Sequence, residues 1–131
     1  KDATGNLDRV NQQKEKMGND FIQLTGEDEN VLEFNKRGGV GCISVTANIA
    51  PKLCSDLHNS WFEKKYDEAF AINLMLAKIH HALFIETSPG PVKYAAELLG
   101  LCSSETRLPL VPIKDSTKKF VKDSLIEAKL L

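Results

Sequence analysis

At 131 residues and 42% apolar side chains, the chain is long enough for one ordinary domain with a real core. Its 17 basic and 18 acidic residues leave a net charge of −1, so there is no electrostatic case for nucleic acid or an anionic membrane as a partner. No apolar run approaches the ~20 residues of a membrane-spanning helix, and Lys1–Asn6 lacks the apolar stretch of a signal peptide.

In chain order, Lys1-Asp2-Ala3-Thr4-Gly5-Asn6 reads as a strand tip handing over to a helix. Asn6 is a good N-cap, Leu7, Val10 and Met17 share roughly one face, and Gly18 is the stop. Phe21-Ile22-Gln23-Leu24 is the next predicted strand, closing on Thr25-Gly26. Glu27-Asp28-Glu29-Asn30 then places acid in a helix's first turn, which favours the macrodipole. On that reading Glu27 and Asp28 stay outside the site. Val31, Leu32 and Phe34 supply this helix's apolar face.

The stretch from Arg37 to Pro51 holds a helix end, a buried strand, a polar tip and a helix start. Gly38 and Gly39 offer positive φ where the helix stops. Val40 to Val45 is short, apolar and partly β-branched. Thr46-Ala47-Asn48 is polar, and Pro51 suits the first turn of the following helix. The glycines follow a helix and precede a strand, which inverts the dinucleotide-binding order, so they are turn residues. Thr4, Thr25 and Thr46 recur every 21 residues, each at a predicted tip. That period fits compact βα units, whose strands run parallel through right-handed crossovers, as in a doubly wound sheet or a (β/α)₈ barrel.

Beyond Pro51 the pattern is helical. Leu53, Cys54, Leu57 and Trp61 mark one stripe, ending near Lys64-Lys65. Tyr66 to about Thr87 is a long second helix, in which His80 and His81 read as surface or interdomain residues. Trp61, Phe62 and Phe70 read as helical core or subunit interface. Ser88-Pro89-Gly90-Pro91 is a break, Pro91 starts a short helix that Gly100 stops, and Leu108–Pro112 is extended. Asp115 or Ser116 caps a last helix carrying Phe120, Val121, Leu125 and Ala128. Residues 1–64 are therefore expected to form βα units, and residues 65–131 a helical domain.

Three cysteines, Cys42, Cys54 and Cys102, form no C-x-x-C pair, which points to free thiols in a reducing, cytoplasmic setting. The histidines make no metal site: His80 and His81 diverge on a helix, and His58 stands alone.

Lys1–Asn6, Leu24-Thr25-Gly26-Glu27-Asp28 and Gly39–Asn48 together resemble the carboxyl half of the bacterial dihydrodipicolinate synthase family. Ser88-Pro89-Gly90-Pro91-Val92-Lys93 and Leu108-Pro109-Leu110 resemble landmarks of that family's helical region, so the similarity covers essentially the whole chain. The resemblance implies an α/β fold: the C-terminal part of a TIM (β/α)₈ barrel followed by an all-helical C-terminal domain. It further implies a class I aldolase-type lyase that condenses pyruvate with aspartate semialdehyde, the entry step of the diaminopimelate route to lysine. Lys1 matches the lysine that forms a Schiff base with pyruvate, and Gly26 and Ile43 match positions lining the pyruvate pocket through their backbones. No metal or organic cofactor is implied, and a homotetramer is expected. The family's proton-relay, second-substrate and lysine-sensing residues lie upstream of Lys1, so this chain alone is expected to be an inactive piece. Two other readings remain open. One is a sister pyruvate aldolase, such as an N-acetylneuraminate lyase or a keto-deoxy-sugar-acid aldolase; the other is a non-catalytic assembly module.

The implied chemistry sets a requirement on the lysine. An amine attacks a ketone only when neutral, so burial or nearby cations must lower a pKa that starts near ~10.4.

Overall fold

The computed structural model describes all residues from Lys1 to Leu131. Six helices form: α1 (Asp8–Met17), α2 (Val31–Lys36), α3 (Pro51–Phe62), α4 (Tyr66–Ala82), α5 (Gly90–Leu98) and α6 (Asp115–Glu127). Short 3₁₀ turns at Asp28–Asn30 and Thr46–Asn48 lead into α2 and α3. None of the helices is long and apolar enough to cross a membrane.

Local chemistry explains most of the ends. Asn6 Oδ1 accepts the Asp8 N–H at 3.0 Å, the N-terminal cap its position predicts. Gly18 has φ of 87° and returns its N–H to Lys14 O, closing α1. α4 ends earlier than its apolar pattern predicts: Leu83 donates to Ile79 O, and residues 83–89 are irregular. At the start of α6, neither Asp115 nor Ser116 supplies a side-chain cap. The extended residue there is Lys114, whose N–H is taken at 2.9 Å by the Glu86 carboxylate. Thr117 and the Lys114 N–H together lower the Glu86 pKa. A distant carboxylate thus replaces the local cap.

Regular strands at Phe21–Leu24 and Val40–Val45 are not observed. Instead, extended segments meet at single parallel bridges, Asp2 to Thr25 and Thr25 to Cys42. Asp2 N donates to Leu24 O at 2.8 Å and Gly26 N to Asp2 O at 2.7 Å. Thr25 N donates to Gly41 O at 3.0 Å, Ile43 N to Thr25 O at 2.9 Å, and Val40 N to Gln23 O at 3.0 Å. Side chains cut this pairing short by offering the backbone other partners. Asp2 Oδ1 takes the Thr4 N–H, Thr25 Oγ1 takes the Glu27 N–H, and Asp28 Oδ2 takes the N–H groups of Val45 and Thr46. The register also differs from the threonine repeat. Thr25 pairs with Asp2 and Cys42, so Thr4 and Thr46 are not its structural counterparts.

One apolar cluster runs from Val31, Leu32, Ile49 and Leu57 through Leu76, Ile79 and Leu83 to Val92, Val121 and Leu125. It is continuous across residue 64, where Lys64 adopts φ of 63° in the turn between α3 and α4. Trp61 packs edge-on against Tyr66 and Phe70 at this turn, with ring centroids 4.9 and 6.5 Å apart. Burying this cluster is the main driving force holding the helices to the three tips.

Candidate active site

The three tips carry the three residues expected to act on pyruvate. Register determines how they sit together. Asp2, Thr25 and Cys42 are the paired positions, and side chains alternate between the two faces of an extended segment. Lys1, Gly26 and Ile43 are each one residue from those positions, so they share the opposite face. Exposure follows the same division at the first and third tips: Cys42 packs on the apolar cluster, while Ile43 is 49% exposed and Lys1 is exposed; at the second tip both Thr25 and Gly26 are buried.

Lys1 and Gly26 are in intimate contact. A Cβ added at buried Gly26 would lie 2.5 Å from Lys1 Cε and 2.8 Å from Ala3 Cβ. Only a hydrogen atom fits there, which lets the lysine stem cross the second tip. Ile43 joins through the backbone, its N–H bonded to the carbonyl of Thr25, the residue before Gly26.

Two carboxylates anchor the tips. Asp2 follows Lys1 directly and accepts the Thr4 hydroxyl at 2.6 Å and the Thr4 N–H at 2.9 Å. Its other oxygen accepts Arg9 Nε at 2.5 Å and Gln13 Nε2 at 3.3 Å. The Thr4 hydroxyl bond, followed by Arg9, lowers the Asp2 pKa to about 2. Asp28 is only 5% exposed. Its Oδ1 accepts the Ser44 hydroxyl, and its Oδ2 accepts Val45 N–H at 2.9 Å and Thr46 N–H at 3.3 Å.

Behind the third tip, buried Thr46 and buried His80 are hydrogen-bonded, with Oγ1 and Nδ1 2.7 Å apart. His80 is therefore not a surface residue. Burial lowers its pKa, which favours the neutral ring. His81 does face solvent, with 68% of its side chain exposed. Asp28, Cys42, Ser44, Cys54, His58 and His80 line a small cavity of about 10 Å³. Burial, reinforced by Asp28, pushes the Cys42 thiol up to about 12, where it is a poor nucleophile. All three cysteines are free, with Cys42 and Cys54 half-buried and Cys102 exposed. No group of three or more His, Cys, Asp or Glu side chains is arranged to hold a metal ion.

The sequence model of the dihydrodipicolinate synthetase family matches residues 1–128. The chain belongs to that family. Among curated members, 4-hydroxy-tetrahydrodipicolinate synthase of Pelagibacter ubique is 63% identical over 134 residues, covering all of this chain and 46% of the relative. The enzyme of the same name from Bartonella henselae is 50% identical over 131 residues, covering all of this chain and 45% of its own length. The chain thus spans about half the length of the curated family members it matches.

Solved structures of the family agree in fold. Dihydrodipicolinate synthase of Thermotoga maritima superposes with a TM-score of 0.94 at 33% identity, over all of this chain and 45% of that one. The 4-hydroxy-tetrahydrodipicolinate synthase of Methylacidiphilum fumariolicum SolV gives 0.95 at 37% identity, over 98% of this chain and 43% of that one. These are TIM-barrel enzymes, and the chain matches a part of the barrel fold. Three short parallel tips with helices between them are what such a part looks like.

Proposed function

We propose that this chain is the carboxyl-terminal part of a pyruvate-dependent aldolase-type lyase that condenses pyruvate with aspartate semialdehyde. That reaction is the first committed step of lysine and diaminopimelate biosynthesis. The observation that carries the reading is the placement of Lys1, Gly26 and Ile43 on one face of three adjacent parallel tips. Kinship with proteins named for this synthase activity supports it.

In this reading Lys1, exposed in these 131 residues, is covered by the rest of the barrel in the intact protein; its deprotonated Nζ attacks the C2 carbonyl of pyruvate, and loss of water gives a protonated imine on the lysine. The imine withdraws electrons, so a proton leaves the adjacent methyl group and an enamine forms. The enamine carbon then attacks the aldehyde carbon of aspartate semialdehyde, whose oxygen takes up a proton; attack of water or of the substrate's own amine on the re-formed imine breaks the bond to Lys1 and releases the product. Gly26 lets the lysine stem approach, and the backbones of Gly26 and Ile43 line the space for a three-carbon acid. The electron sink is the imine itself, so the scheme calls on no metal or organic cofactor.

Residues 1–64 would complete the barrel and residues 65–131 would form a C-terminal helical domain. The intact protein is proposed to work as a cytoplasmic homotetramer, and the 131 residues alone to lack turnover.

A product assay on the full-length protein tests the substrate assignment. Incubated with pyruvate and either aspartate semialdehyde or N-acetylmannosamine, it should consume the semialdehyde. Turnover of N-acetylmannosamine with none of aspartate semialdehyde would transfer the chain to the sister lyases.

A further inference from the structure

We propose that Asp28 is a positioning residue for this reaction: its buried carboxylate fixes the Ser44–Thr46 turn, which keeps the Ile43 backbone in register with Gly26 and Lys1. The inference rests on the reading of Lys1 as the imine-forming residue.

Asp28 lies two residues beyond Gly26, on the second tip, but its bonds go to the third. Oδ1 accepts the Ser44 hydroxyl, and Cys42 Sγ lies 3.9 Å from the same oxygen. Oδ2 accepts the backbone N–H groups of Val45 and Thr46, at 2.9 and 3.3 Å. One carboxylate therefore grips the three residues that follow Ile43, with the Cys42 thiol beside it on the other side. Ser44 Oγ also accepts the Ala47 N–H at 2.8 Å, so the grip extends into the 3₁₀ turn. Thr46 passes the constraint on to α4 through its bond to His80.

A capping acid at a helix start normally sits in solvent, where it interacts only weakly with the dipole. Asp28 is 5% exposed and bonded across tips, a costly arrangement unless each oxygen is satisfied. Its product is a fixed distance between two tips, each of which gives backbone to the proposed pyruvate pocket. Displacing a positioned group by about 1 Å costs on the order of 100-fold in rate.

The two obvious variants differ in a useful way. Asp28→Ala removes every side-chain bond from Asp28 to the third tip and leaves the backbone bonds between the two tips in place. Asp28→Asn keeps the two backbone bonds, its carbonyl facing the Val45 and Thr46 N–H groups, while the Ser44 bond reverses, the amide donating to the free lone pair of Ser44 Oγ.

The experiment is steady-state kinetics with varied pyruvate on the full-length protein and both variants, with borohydride trapping of each and amide exchange at Val45 and Thr46. Asp28→Ala should raise KM for pyruvate by about 10- to 100-fold, speed exchange at both amides, and still label Lys1 at saturating pyruvate. Asp28→Asn should return KM to within about threefold of the parent, since it retains both bonds to the backbone of the third tip. A purely structural role would lower Vmax through the folded fraction and leave KM alone.

Parent KM and kcat in folded Asp28→Ala, with Lys1 labelled in the parent, would overturn this inference and leave the Lys1 reading standing. An unlabelled parent would remove both. If Asp28→Ala does not fold, Ser44→Ala decides: a rise of about three- to tenfold in KM, from the loss of one side-chain hydrogen bond, supports the inference, and an unchanged KM refutes it.

Discussion

Gly26→Ala tests the site most sharply, because the substitution adds one methyl group at a defined place. The new Cβ would meet Lys1 Cε at 2.5 Å and Ala3 Cβ at 2.8 Å. Carbon atoms pack best at about 3.5–4.0 Å, so the lysine must retreat by roughly 1 Å or the first tip must shift. The lysine stem is flexible and yields at little cost, whereas Ala3 Cβ is fixed to the backbone. Overpacking of this kind costs about 1–3 kcal/mol of stability. The larger effect falls on chemistry. If Lys1 is the nucleophile, a misplacement of about 1 Å lowers its rate of imine formation on the order of 100-fold. Single-turnover trapping with pyruvate and borohydride reads that rate directly, and thermal melting reads the stability. A folded Gly26→Ala protein that labels Lys1 at the parent rate would refute the contact between Lys1 and the second tip as a catalytic feature.

Other consequences follow from burial. Leu76 has no exposed surface at the centre of the apolar cluster, so Leu76→Ala should destabilise the protein by about 2–5 kcal/mol in urea unfolding. A loss below 1 kcal/mol would place Leu76 outside a close-packed core. His80 and His58 both have pKa values lowered by burial. The folded state then resists protonation that the unfolded state accepts, so their contribution is present above the unfolded histidine value, near 6.5, and is lost as pH falls below it. Each can add at most ~1.4 kcal/mol per pH unit to the slope. His80→Gln should flatten the fall in melting temperature between pH 7 and pH 5; an unchanged slope would mean that His80 titrates alike in both states.

Where local chemistry sets the outcome, the sequence was a sufficient guide. Asn6, Gly18, Pro51 and Gly100 mark helix ends because a cap, a positive φ or a missing N–H acts within a few residues. The choice of Lys1, Gly26 and Ile43 came from the family resemblance alone; that they share one face follows from adjacent extended segments in register, which the residues by themselves did not give. Asp28 was not legible as an anchor. An acid in a first turn looks the same whether it faces water or takes two backbone N–H groups from a turn 17 residues away. His80 did leave a signal, since it falls four residues after Leu76 and three before Leu83, on the buried face of α4. The polar His-His pair masked it. The threonine period misled because backbone pairing, not hydroxyl position, sets the register between tips.

Everything proposed for the site depends on a covalent bond between the side chain of Lys1 and pyruvate. Borohydride reduction of the full-length protein with pyruvate, followed by peptide mass mapping, addresses it directly. One stable adduct is expected, on Lys1, and it should disappear in Lys1→Arg with the fold retained. A folded protein that forms no adduct, or forms one on another lysine, would contradict the Lys1 assignment.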